Sequence, residues 1–249
     1  MRHKALSVTI VALLVAGSVC ARETASKKLS YGGTLNLGLA QNYLLAGDPG
    51  TALDKANLAL RSDPDSAEVH ATLGMIYNRV RDQKHAGEQF ARAVQLAPTQ
   101  GPILNAYAVW QCEQGHFAEA DGNFQQAAQD PFYKTPAEAW FNAGKCAFGS
   151  GDAVKAEAYL RKSLEKWPDD PAGLQLMAQV QFAQGHFMDA RAFLQRREAL
   201  GSPKPELYVL GSKIEEGAGD AKAAEHYRQR LREEFPEYTL PAGEGSRSP

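Results

Sequence analysis

Alanine returns at positions 52, 86, 120, 156, 190 and 224, in steps of 34, 34, 36, 34 and 34 residues. Self-similarity at such a period means stacked copies of one supersecondary unit. Four residues after these alanines stand Ala56, Phe90, Phe124, Leu160, Leu194 and Arg228, and seven after them Ala59, Ala93, Ala127, Ser163, Arg197 and Leu231. A small residue where two helices cross lets their backbones approach, and a large one four positions later shares that face and fills the groove. Gly47, Gly115, Gly151, Gly185 and Gly219 precede the alanines by five residues, where a tight reversal between helices favours positive φ. The second unit has Arg81 there, so its turn is made by Arg81-Asp82-Gln83. Pro64, Pro98, Pro168 and Pro236 close units because proline cannot continue a helix.

The second unit reads Leu73-Gly74-x-x-Tyr77, then Ala86, Phe90, Ala93 and Pro98; the first has Leu39-Ala40-x-x-Tyr43, and the fourth has Trp140 with Ala143-Gly144. This resembles the tetratricopeptide (TPR) repeat. The expected fold is all-α, a superhelical solenoid of six helix-turn-helix repeats over 34–238, at about 34–66, 67–100, 101–136, 137–170, 171–204 and 205–238. The extra residues around Asp130-Pro131-Phe132-Tyr133-Lys134-Thr135-Pro136 lengthen the link from third to fourth repeat and account for the 36-residue step. Residues 22–33 read as a flexible tether and 239–249 as a disordered tail.

The first residues differ. Arg2, His3 and Lys4 precede an apolar run from Leu6 to Ala16 and then small residues, the pattern of a secretory signal peptide over 1–21. Its end has three readings: cleavage before Arg22, a bacterial lipobox at Gly17-Ser18-Val19-Cys20 that makes Cys20 the lipid anchor, or a cysteine lost with the leader. Val19 departs from the Gly or Ala usual before a lipobox cysteine. The membrane is a partner only if Cys20 is lipidated.

The formal net charge of -2 leaves no basic stripe for phosphate, which excludes nucleic acid as a partner. Arg228, Arg230 and Arg232 alternate with Glu225, Glu233 and Glu234 as a solvated helix face. The sequence carries no phosphate loop, metal-spaced Cys/His set or nucleophile elbow, so no catalytic, metal or cofactor site is assigned and the chain is read as non-enzymatic. His116 and His186 recur at one repeat position, which stacked units do for packing reasons. Cys112 and Cys146 lie on first helices of neighbouring repeats; export favours a disulfide between them, and two separate half-buried thiols are the alternative. Protein binding is expected on the concave face, whose fifth, ninth and twelfth repeat places give Leu37, Gln41, Leu44, Ala71, Met75, Asn78, Asn105, Val109 and Cys112. Phe141, Lys145, Phe148, Gln175, Gln179 and Phe182 continue the series. This neutral, partly apolar groove is centred on the second to fifth repeats and suits an amphipathic helix or an extended apolar segment.

A more specific resemblance rests on an ordered set of motifs. These are Asn105-Ala106-Tyr107, Gly115-x-Phe117-x-Glu119-Ala120, Asp130-Pro131-x-Tyr133-x-x-Pro136, Asn142-Ala143-Gly144-x-Cys146-Ala147 and Ala156-Glu157-x-Tyr159-Leu160-Arg161-Lys162-Ser163-Leu164. Met177-Ala178 and Ala190-Arg191-x-Phe193-Leu194-Gln195-Arg196 extend them, so that roughly residues 30–238 resemble the PilF/PilW family of type IV pilus biogenesis proteins. The resemblance implies an outer-membrane lipoprotein facing the periplasm, anchored through Cys20, that assists the pilus secretin and other pilus assembly proteins and so supports pilus formation and twitching motility. A periplasmic scaffold for cell-wall or outer-membrane machinery, soluble or anchored, is the alternative. Gly211-Ser212 and Glu215 replace bulkier residues and leave the sixth repeat open as either a binding unit or a polar cap.

Overall fold

All six alanines of the register are completely buried in the computed structural model, which describes residues 28–201 and 204–239. Phe90, Phe124, Leu160 and Leu194, four residues further on, are buried just as deeply. Each such side chain stabilises the fold by roughly 2–3 kcal/mol relative to exposure.

The described residues form twelve helices and no strand. They pair as α1 (Tyr31–Leu45) with α2 (Pro49–Ser62), α3 (Ala67–Arg79) with α4 (Gln83–Leu96), and α5 (Gly101–Glu113) with α6 (Phe117–Gln129). The series continues as α7 (Pro136–Gly149) with α8 (Ala153–Lys166), α9 (Pro171–Ala183) with α10 (Phe187–Ala199), and α11 (Pro205–Gly217) with α12 (Ala221–Glu234). Each pair packs as a hairpin, each second helix meets the next first helix, and first helices touch in succession. The chain is therefore an all-α tetratricopeptide solenoid with one wall of odd-numbered helices.

The reversals inside the hairpins follow the register. Gly47, Gly115, Gly151, Gly185 and Gly219 have φ between 77° and 89°, and Arg81 adopts φ 64° at the same place. Asp48, Asp82, Asp152 and Asp220 then cap the second helices, each accepting the backbone N–H three residues on. His116 and His186 occupy that cap position without a side-chain cap hydrogen bond. His186 Nδ1 instead lies 3.0 Å from Gln181 Oε1, a local packing contact.

The helical domain begins earlier than its tether was expected to end. Ser30 caps α1, and its N–H and hydroxyl both donate to the Asp63 carboxylate. Gly32 and Gly33 lie inside the helix, and a Cβ on Gly33 would overlap Asp63, so this glycine serves a close approach rather than a hinge. The leader with Cys20 and residues 240–249 lie outside the described residues.

The sixth repeat is a polar cap. On α12 only Ala224 is buried, while Arg228 pairs with Glu216 and Glu225, Arg232 with Glu225, and Arg230 with Glu234 and Glu198. Gly211 makes room for the Tyr227 ring, and buried Glu215 pairs with Arg191 of the preceding repeat.

Candidate protein-binding groove

Along each first helix, places two, five, six and nine of the repeat project to one side, because steps of three and four residues stay on one helical face. Four neighbouring helices, α1, α3, α5 and α7, bring these places together around a concavity of about 450 Å³. Ala71, Met75, Ile103 and Val109 supply its apolar surface; Gln41, Thr72, Asn105 and Asn142 supply amides and a hydroxyl, and Glu68 and Glu138 its carboxylates.

A hydrogen bond joins each adjacent pair of these helices. Gln41 Nε2 donates to Thr72 Oγ1 at 3.4 Å between α1 and α3, Asn78 Nδ2 to Glu113 Oε2 at 2.7 Å between α3 and α5, and Asn142 Nδ2 to Asn105 Oδ1 at 3.1 Å between α5 and α7. The last pair is also tied covalently: Cys112 Sγ and Cys146 Sγ are bonded, with their Cα atoms 5.9 Å apart, within the span a disulfide requires. The wall of the groove is thus linked from helix to helix and set before any partner arrives.

The long link completes it. Asp130 accepts the N–H groups of Gly101 (2.7 Å) and Phe132 (2.9 Å), which folds the link back over α5. Tyr133 is thereby buried; its phenol accepts from Asn105 Nδ2 and donates to Glu138 Oε2, both at 3.2 Å. Burial pushes that phenol up to about 12, the nearby Glu138 charge adding to the effect, so Tyr133 stays a donor at all physiological pH. Phe132 beside it is almost entirely solvent-exposed.

The predicted residues divide into three groups. Gln41, Ala71, Met75, Asn105 and Val109 meet in the concavity, although buried Asn105 spends its amide on Tyr133 and Asn142. Leu37 is core, Leu44 packs partly buried against that core, and Asn78 is part of the inter-helix ladder. Phe141, Phe148 and Phe182 are half-buried against the inter-repeat cores, with Gln175 and Gln179 half-buried and Lys145 exposed, and none of them lines the concavity. The concavity of about 450 Å³ thus spans the first to fourth repeats, whereas the expected groove is centred on the second to fifth, and Tyr133 and Thr135 of the link are part of its lining. Places two and six, Glu68, Thr72, Glu138 and Asn142 among them, are lining residues that the fifth-ninth-twelfth count omits. Their signal is the helical period itself, one step either side of the counted places. Among the described residues no group of His, Cys, Asp and Glu is placed to hold a metal ion, and no helix is long and apolar enough to cross a membrane.

A stack of helical hairpins with one concave, internally braced wall defines the class: a tetratricopeptide scaffold. Two tetratricopeptide-repeat family models match it, over residues 112–171 and 147–201. The type IV pilus assembly protein PilF of Pseudomonas aeruginosa is 25% identical over 202 residues, covering 81% of this chain and 79% of that protein. An uncharacterized protein of Haemophilus influenzae is 30% identical over 128 residues, 51% of this chain and 69% of its own length. Among solved structures, that of PilW, a widely conserved type IV pilus biogenesis factor, superposes with a TM-score of 0.79 at 28% identity, covering 84% of this chain and 96% of PilW. By sequence and by structure the chain is homologous to the PilF and PilW tetratricopeptide proteins of type IV pilus biogenesis.

Proposed function

We propose that this chain is a non-catalytic binding factor that helps the pilus secretin reach and multimerise in the outer membrane, and so supports pilus assembly and twitching motility. The observation that carries the reading is the fit along nearly the whole length of PilW, joined to a concave groove of about 450 Å³ on the first four repeats. Apolar walls between polar ends suit a helical or extended segment of the secretin, held by a few apolar anchors with its polar edges on the amides and carboxylates. Tyr31, Leu35 and Leu45 of the first repeat are exposed as well, a second apolar surface on the same repeat. In this proposal the protein is exported and held at the periplasmic face of the outer membrane by lipid on Cys20.

Deletion of the gene tests the reading. Surface pili and heat-resistant secretin multimers are expected to disappear while growth stays normal; intact multimers overturn it, and envelope or division defects with pili retained point instead to a cell-wall scaffold. At residue level, Met75→Glu places a charge at the centre of the apolar wall and is expected to reduce secretin recovery from solubilised outer membranes, with helical content unchanged. Mass spectrometry of the mature N-terminus tests the anchor, which a peptide beginning at Arg22 rules out.

A further inference from the structure

The concavity between the first four repeats differs in charge from the groove that the repeat places predict. The expected groove is neutral and holds Lys145. Among the described residues that line the concavity there is no lysine, arginine or histidine, and its two charged groups are the carboxylates of Glu68 and Glu138. They occupy place two of the second and fourth repeats, in the first turns of α3 and α7, where a helix favours a carboxylate in its charged form.

Glu138 is held in position by its neighbours. Its Oε2 accepts from the Tyr133 phenol at 3.2 Å and from Thr135 Oγ1 at 3.0 Å, and both donors also line the concavity. Glu138 is itself solvent-exposed, and its Oε1 receives no hydrogen bond from the described residues. Neither of the exposed lysines nearest to it in the chain, Lys134 on the link and Lys145 on α7, forms an ion pair with it. The wall adds neutral acceptors. Gln41 and Asn142 turn their NH2 groups to Thr72 and Asn105, and their carbonyl oxygens accept nothing from the described residues. Asn142 follows Glu138 by four residues on α7, so that oxygen and the carboxylate share one helix face. Met75 and Val109 place partly exposed apolar surface in the same concavity.

We propose that the groove selects a partner segment that carries a basic side chain, arginine or lysine, beside its apolar anchors. The cation seats on Glu138 with the Asn142 carbonyl oxygen next to it, and the anchors lie on Met75 and Val109. The occupant is argued from charge complementarity. A fixed carboxylate without a cationic partner and an adjacent carbonyl both attract an N–H donor of positive charge, whereas an acidic segment would meet two like charges. This deepens the proposed function and rests on its placing of the partner in this groove; the basic residue is the added claim.

Fluorescence anisotropy on the intact disulfide-bonded protein tests it, with three short, capped, dye-labelled peptides that share one leucine–serine frame and differ only in a central arginine, glutamine or glutamate. The arginine peptide is expected to bind about fivefold more tightly than the glutamine peptide, the size of one partly exposed ion pair, and the glutamate peptide more weakly than either. Added salt should shrink that preference. Glu138→Gln keeps an acceptor for Tyr133 and Thr135 and is expected to bring the arginine peptide down to the affinity of the glutamine peptide. Met75→Ser is expected to weaken all three. If Met75→Ser does so but arginine and glutamine peptides bind wild type equally, or the preference survives Glu138→Gln, the basic residue is overturned and the groove reading stands. If no peptide binds wild type, or Met75→Ser weakens none, the groove is not the seat and both fall. Self-association that Glu138→Gln abolishes also overturns the proposal, since the occupant is then a second copy.

Discussion

Arg81 tests whether the repeat turn is conformationally specified. At φ 64° it is the one described non-glycine residue in the left-handed region, at a place where five other turns have glycine. An L side chain there costs about 1–2 kcal/mol relative to the right-handed region. Glycine removes that cost but gives back about 0.5–1 kcal/mol through the extra freedom of its unfolded backbone. The turn hydrogen bond from Arg81 N–H to Asn78 O, 3.0 Å, survives the change because it belongs to the main chain. Arg81→Gly is therefore expected to stabilise the solenoid by about 0.5–1 kcal/mol, a rise in Tm of about 1–4 °C for a chain of this size. The assay is urea unfolding followed by circular dichroism, in which the midpoint should rise with the slope unchanged. Gly115→Ala is the reverse experiment: no atom lies within 4 Å of the added Cβ, so its expected loss, of about 1 kcal/mol, is conformational alone. If Arg81→Gly fails to raise the midpoint and Gly115→Ala leaves it unmoved, the left-handed turn is not what selects glycine here.

Three further outcomes follow from packing and charge. Reducing the Cys112–Cys146 bond, which spans 34 residues, is expected to cost up to about 4 kcal/mol by loss of loop closure, seen as a lower urea midpoint on titration with reductant. Gly101→Ala drives a Cβ to 2.8 Å from Ala127 O and from the Tyr133 side chain; it is expected to lose about 1–3 kcal/mol in the same assay, since a carbonyl cannot rotate aside. Burial pushes the phenols of Tyr133 and Tyr208 up to about 12. Their unfolded counterparts ionise near 10, so the stability they contribute is complete below about pH 10 and is lost as pH rises toward 12. An ultraviolet phenolate titration should show both ionising only as the chain unfolds.

The alanine register specified the fold because it records helix crossings, and a crossing tolerates only a small residue; all six are buried where the register puts them. The groove was less legible. Met75 and Val109 were readable from the register, but Tyr133 and Thr135 reach the groove from a link whose extra length is visible in sequence and whose path is not. That path depends on Asp130 capturing two N–H groups, one of them from the next-but-one segment back, Gly101. Phe141 and Phe148 looked like groove residues because they occupy counted places on a first helix. They pack instead into the core between repeats, and helical position alone does not say how neighbouring repeats rotate to cover a face.

The ends of the solenoid are unlike, and this bears on where a partner engages it. A terminal repeat needs a polar outer face to stay soluble. The sixth repeat has one, made of arginine–glutamate pairs that leave α12 almost without buried side chains. The first repeat leaves Tyr31 and Leu45 more than four-fifths exposed, and Leu35 about half. Among the described residues, an apolar face at the first-repeat end and a charged one at the other give the molecule a direction. On the anchoring proposed above, Cys20 precedes the cap of α1 by ten residues, a span of at most about 35 Å. The first-repeat end would then be tethered nearer the membrane than the charged cap.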